Sequence, residues 1–288
     1  MKISIIKACS DLGVHISGSE LGPLKLDNFD NLVDNVLIVK KEATEKELDR
    51  SNKRKNFNEL NKFNEKLYNT ILNEKDNFIL TIGGDHSIVI ASALANKKIK
   101  KNIGIIWIDS HADFHNFSTT ISGNIHGMPF ATICGENGNE LSYFFDEEYF
   151  NPNNAVLVGA RDVESPEYTN LKKAGVKIFT TNDIVEKGPE FIMESALNIA
   201  LNGTDSVHIS YDLDVIDPKI APGVSIKAVN GITENDAYQI LETIIKYKEK
   251  ISSFDLVELN PNYDTENKTY NIASSMLKEL INALKKMD

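Results

Sequence analysis

The sequence predicts an α/β protein of three layers, with a mainly parallel central sheet of about eight strands between helices on both faces. Three observations carry this reading. Eight short runs of apolar, β-forming residues recur along the 288-residue chain, most of them separated by helical patterns. No internal repeat and no Pro- or Gly-rich linker divides the chain, so residues 1–288 read as one domain. Four of the apolar runs end in histidine, aspartate or glutamate, and in open sheets of this class ligands sit outside the carboxyl ends of the strands.

The elements follow in order. A first strand is read at residues 3–8, followed by a Gly- and Ser-containing loop to Pro23, and a second strand at 36–39. From Thr44 the chain is rich in Lys, Glu and Asn. Phe57, Leu60, Phe63, Leu67 and Ile71 are spaced three or four apart, which predicts an amphipathic helix over 56–73. The charged residues ahead of that helix read as a solvated face or loop. A third strand at 78–82 runs into Gly83-Gly84-Asp85-His86-Ser87, and 88–95 reads as a helix.

The fourth strand, 103–108, opens directly onto Asp109-Ser110-His111-Ala112-Asp113. A strand at 155–159 precedes Arg161-Asp162-Val163-Glu164, and a helix over 166–174 leads to a strand at 176–179. After a helix at 190–201, the strand 206–211 delivers Asp212-Leu213-Asp214. Thr233, with Asp236 three residues later, marks a capped helix start that continues through 237–247. The last strand, 251–257, delivers Glu258, and 272–286 reads as an amphipathic helix.

A net charge of −11 argues against non-specific nucleic-acid binding and is compatible with a cationic substrate. Cys9 and Cys134 are far apart without metal-type spacing, so no disulfide framework is expected and a reducing, cytoplasmic setting is. Polar residues interrupt the N-terminal apolar run too early for a signal peptide, and no apolar run approaches the roughly 20 residues of a membrane span.

His86, Asp109, His111, Asp113, Asp212 and Asp214 supply imidazole and carboxylate ligands with no thiolate. That set favours Mn²⁺, with Fe²⁺, Co²⁺ or Zn²⁺ behind it and Ca²⁺ disfavoured by the imidazoles. An extended Asp-x-His-x-Asp segment places its three side chains on one side, and Asp212-x-Asp214 repeats the pattern. Six ligands are too many for one catalytic metal with an open position. They suit two metals about 3.5–4 Å apart that share an activated water. Without a cation such a cluster of carboxylates repels itself.

GGDHS at 83–87, DSHAD at 109–113, SGNIHGMP at 122–129, SYDLDVIDP at 210–218 and ELNP at 258–261 together resemble the ureohydrolase family of arginases, agmatinases and formimidoylglutamases. GSELGP at 18–23 is similar to the family's N-terminal Gly-Pro loop. The resemblance implies an arginase-like fold and a homo-oligomer, a trimer or hexamer. It implies one Mn²⁺ held by His86, Asp109, Asp113 and Asp212, and a second by His111, Asp109, Asp212 and Asp214. A metal-bridging hydroxide would attack the guanidinium carbon. Glu258 would hold the guanidinium, His126 would shuttle protons, and Asp113 would pass one to the leaving nitrogen.

The length from Asp113 to His126 and the GNIHG segment are closest to arginase, which implies hydrolysis of L-arginine to L-ornithine and urea. Ser122 matches a position that contacts the substrate α-carboxylate, and Glu164 one that helps bind the α-amino group. Two departures stand out: His115 replaces an Asn that contacts the α-carboxylate, and Ser225-Ile226-Lys227 replaces the usual Gly-Thr-Pro. Agmatine, formimidoylglutamate or another guanidino or formimino compound is the alternative substrate. A non-catalytic metal-binding protein on the same fold is the alternative of another class.

Overall fold

The computed structural model describes residues 1–42, 48 and 54–286. Much of the charged stretch read as solvated, at 43–47 and 49–53, lies outside the described residues. Strands β1 (Ile3–Cys9), β2 (Asn35–Lys40), β3 (Phe78–Gly83) and β4 (Ile103–Ile108) come from the first half of the chain. Strands β5 (Ala155–Ala160), β6 (Lys177–Thr180), β7 (Ser206–Asp212) and β8 (Ile251–Val257) complete the sheet. The helices are α1 (Gly22–Lys25), α2 (Phe57–Asn73), α3 (Val89–Lys100), α4 (Pro129–Ile133) and α5 (Ser165–Ala174), then α6 (Thr181–Lys187), α7 (Pro189–Ala200), α8 (Glu234–Lys246) and α9 (Lys268–Lys285).

All eight strands pair in parallel, in the order β2-β1-β3-β8-β7-β4-β5-β6. The expectation of a mainly parallel sheet is therefore exceeded: among the described residues the sheet is wholly parallel. Strands buried on both faces need apolar side chains on both, which is why the runs in the sequence are continuous rather than alternating. Successive side chains still part to opposite sides. On β4, Ile106 and Ile108 enter one core with α7, α8 and α9, while Ile105 and Trp107 enter the other with α2, α3 and α4.

The topology matters more than the strand count. The chain builds outward from β1 to β2, returns for β3, then starts again with β4, β5 and β6 on the far side. The late strands β7 and β8 fill the gap between β3 and β4. The four strands that end in candidate ligands are thus the four central neighbours, β3-β8-β7-β4.

The sequence reading missed α1, α4 and α6, each no longer than seven residues. Short helices carry too few turns for a period to register. The start of α6 was nonetheless written locally, since Thr180 and Asp183 form a reciprocal capping box. The capping box at Thr233 and Asp236 is present as read. The double glycine after β3 has a steric cause: a Cβ on Gly84 would lie 1.9 Å from the Ser10 carbonyl oxygen, which accepts from Asp85 N at 2.9 Å.

Candidate active site

Two acidic-imidazole groups meet at the ends of the central strands. His86 follows β3 in a 3₁₀ turn capped by the Asp85 side chain. Its Nδ1 is buried and makes no hydrogen bond of good geometry, yet carboxylate oxygens of Asp109, Asp113 and Asp212 ring it at 3.0, 3.1 and 3.1 Å. Beside it, His111 Nδ1 lies 2.8 Å from Asp214 and 3.5 Å from Asp109. Asp109 belongs to both groups. Oxygen and nitrogen donors converging on an orphaned buried imidazole nitrogen, with no thiolate, fit a divalent cation of the Mn²⁺ type.

The local geometry corrects one expectation. The Asp-x-His-x-Asp segment does not stay extended: β4 ends at Ile108, and Asp113 sits at φ 50 in the left-handed region. Asp214 likewise comes from a 3₁₀ turn capped by the Asp212 side chain, whose Oδ1 accepts from Asp214 N at 2.7 Å. The side chains meet because the backbone turns after each strand, rather than through strand alternation.

Electrostatics explain why a cation belongs there. Burial pushes the Asp113 carboxyl up to about 6, helped by the Asp109 charge. Asp212 and Asp214 are raised by burial and by their acidic neighbours. Burial acts the same way on Asp109, but the His111 and His86 contacts override it and hold that carboxyl well below the usual range. Burial would depress both imidazoles; the surrounding carboxylates instead lift His86 and His111 well above ordinary values. Protons and divalent cations compete for such a cluster, because ligands bind metal deprotonated.

The cluster is braced from outside. His86 Nε2 pairs with Ser210 Oγ at 2.8 Å, which leaves Nδ1 as the ligand nitrogen. Trp107 stacks on the His86 ring at 4.0 Å and donates Nε1–H to Asp109 Oδ2 at 2.9 Å. Ser110 Oγ donates to Asp214 Oδ1 at 2.7 Å. Sequence reasoning passed over these three residues, although Ser210 and Asp212 lie two apart on β7 and so on one face.

Above the cluster opens a cavity of about 280 Å³. His111, Asp113, Asp212, Asp214, His126 and Glu258 line its inner part, and His115, Ser122, Glu164 and Ile226 its outer part. Glu258, at φ 70, accepts His86 N–H at 2.9 Å and pairs with His126 Nδ1 at 3.1 Å, both through Oε1. Its Oε2 is buried without a partner. Burial would depress His126, but the Glu258 carboxylate outweighs it and raises the imidazole above its ordinary value.

At the outer end His115 Nε2 lies 3.5 Å from Glu164 and 3.4 Å from Glu167, with Nδ1 3.1 Å from Thr119 Oγ1. Glu167 was not singled out from the sequence. It accepts Phe114 N–H and Glu164 N–H, each at 3.1 Å, and burial pushes its carboxyl up to about 8. The signal was present as the Glu164-x-x-Glu167 capping pattern at the head of α5. Arg161, by contrast, turns away from the cavity: its guanidinium donates to the carbonyls of Asp214, Val215, Ala228 and Val229 and ties β5 to the loop after β7.

Comparison with known proteins agrees with this architecture. The family model described as the arginase family matches residues 1–282. The chain is 34% identical to an arginase of Staphylococcus aureus (strain COL), over 96% of this chain and 95% of that one. It is 34% identical to an arginase of Bacillus subtilis (strain 168), over 97% of each. The solved structure of an arginase from Bacillus caldovelox superposes with a TM-score of 0.90 at 30% identity, covering 97% of this chain and 98% of that chain.

Proposed function

The chain belongs to the arginase family, hydrolases of the carbon–nitrogen bonds of linear amidines, and from that premise we propose that it converts L-arginine and water to L-ornithine and urea. One observation carries the substrate choice. A single cavity is lined by the metal-type cluster, by Glu258 with its unpartnered Oε2, and by the mixed acidic and imidazole set of His115, Glu164 and Glu167. A carboxylate oxygen with no partner suits the guanidinium, through charge-assisted hydrogen bonds. His115, Ser122 and Glu164 offer both donors and acceptors for an ammonium and a carboxylate on the same substrate carbon.

His86, Asp109, Asp113 and Asp212 would hold one Mn²⁺, and His111, Asp109, Asp212 and Asp214 a second, with Fe²⁺ or Co²⁺ as substitutes. Bound there, the metals supply Lewis acidity and a nucleophile at neutral pH. The rest falls to the chain. Glu258 orients the planar guanidinium over the cluster. His126, whose Nδ1 is engaged by Glu258, keeps Nε2 for proton exchange with the cavity, and the Glu258 carboxylate favours its charged, proton-donating form. Asp113 would pass a proton to the leaving nitrogen, as the family resemblance implies.

Residues 1–288 act as one domain in this reading, and family resemblance supports a trimer or hexamer. Both cysteines are buried and unpaired, which supports a reducing cytoplasmic setting. No helix among the described residues is long and apolar enough to cross a membrane. The second reading, a relative acting on another guanidino or formimino compound, is favoured by His115 lying between Glu164 and Glu167. A product-identified assay over arginine, agmatine, formimidoylglutamate and guanidinobutyrate decides. Ornithine and urea from arginine as the preferred pair support the proposal; preference for another substrate overturns it.

A further inference from the structure

The loop that carries Ser122 is fastened by the start of the helix read at 56–73 and by two of the charged residues ahead of it that were read as solvated. Internally this loop is held by short turns: Asn116 Oδ1 accepts from Ser118 N and Thr119 N at 2.9 and 3.0 Å, and Thr120 Oγ1 from Gly123 N at 2.9 Å. Those bonds shape the loop without attaching it to the body. Three consecutive residues at the head of α2 make attachments. Arg54 lies over the Phe117 ring at 4.2 Å and the Phe57 ring at 4.8 Å, and pairs with Glu140. Lys55, only 5% exposed, donates through Nζ to the Ser122 carbonyl oxygen. Asn56, at φ 51, donates to the Leu12 carbonyl at 3.0 Å, next to Gly13, whose carbonyl accepts from His126 N at 3.0 Å.

We propose that Arg54, Lys55 and Asn56 form a strap that positions the substrate head-group loop, with Lys55 as the specificity-determining positioning residue for substrates bearing a carboxylate. The physical reason lies in the buried ammonium. A lysine taken out of water holds its place only where hydrogen bonds and charges compensate it. Lys55 therefore fixes Ser122, a residue of the cavity lining, through its carbonyl. Lys55 acts on substrate selection through Ser122, whose carbonyl it holds. The carboxylate part of this inference rests on the arginine reading; the mechanical part does not.

The test uses the full-length, Mn²⁺-loaded protein and the variants Lys55→Met, which keeps the apolar stem, and Lys55→Arg. Lys55→Met is expected to raise KM for L-arginine about tenfold with kcat within about twofold, to leave KM for agmatine within about twofold, and to speed amide hydrogen exchange at 116–123. Bound metal stays at the wild-type level, and Lys55→Arg restores KM and exchange. Arg54→Ala, at an exposed site, removes a second fastening and gives the same exchange change if Lys55→Met does not fold. Unchanged exchange in either soluble variant overturns the strap. Equal KM increases for arginine and agmatine overturn the carboxylate selectivity. If the wild type releases no urea from arginine, the functional reading falls while the exchange measurement still decides the strap.

Discussion

Glu258 engages His126 through one carboxylate oxygen, Oε1 at 3.1 Å from Nδ1, and leaves its other oxygen buried and bare. One side chain thereby anchors the imidazole and keeps an unpartnered acceptor in a residue that lines the cavity. A buried acceptor without a partner costs about 1–3 kcal/mol, which a bound guanidinium relieves. Glu258→Gln keeps the shape but removes the charge. It is expected to lower kcat/KM for L-arginine about ten- to hundredfold with unchanged bound metal, measured by steady-state urea release and elemental analysis. An unchanged kcat/KM would remove Glu258 from substrate binding.

His126 is the proton carrier in this account. His126→Gln is expected to lower kcat about a hundredfold, within the usual span for a lost general acid–base group. Free imidazole should restore part of the rate, read as a concentration-dependent rise in kcat. A variant as fast as wild type would assign the proton transfer elsewhere.

Glu167 makes stability depend on pH. Its carboxyl is raised from 4.5 to about 8 by burial. Between those values the unfolded chain has released the proton while the folded protein keeps it, so stability falls as pH rises across that window. Glu167→Gln removes one contributor. The metal-free variant should lose stability less steeply from pH 5 to 8 in urea denaturation, by on the order of 2 kcal/mol. Identical slopes for variant and wild type would contradict the buried, protonated carboxyl.

If His86 holds a divalent cation as proposed, metal binding and folding are coupled through it. Mn²⁺ at about a hundredfold its dissociation constant adds about 2.7 kcal/mol, enough to raise Tm by several degrees. His86→Ala should lose most of that rise and part of the bound metal, read by thermal unfolding and elemental analysis. An equal Mn²⁺-dependent shift in the variant would place the stabilising metal elsewhere.

What the sequence disclosed and what it withheld divide along physical lines. Strands, long helices and the candidate ligands just after each strand were legible, because apolar runs and chemical residue types are local. Strand order was not: nothing near Asp212 or Glu258 states that β7 and β8 return to fill the gap between β3 and β4. The turned backbone at Asp113 and Glu258 was hidden too, since left-handed φ at an aspartate or glutamate has no glycine to announce it. Lys55 read as solvated charge because burial of a lysine depends on Ser122, a partner 67 residues away. Glu167 was overlooked for the same reason; its burial beside Phe114 is a tertiary fact.

The central claim is that the cluster around His86 and His111 is a catalytic metal centre for arginine hydrolysis. Titrating Mn²⁺ into chelator-stripped protein, while counting bound metal per chain and ornithine formed from L-arginine, tests it most directly. The account predicts ornithine and urea in equal amounts, rising with bound Mn²⁺ and saturating at two ions per chain. A protein that fills with metal and forms no ornithine, or forms it equally well when stripped, would contradict it.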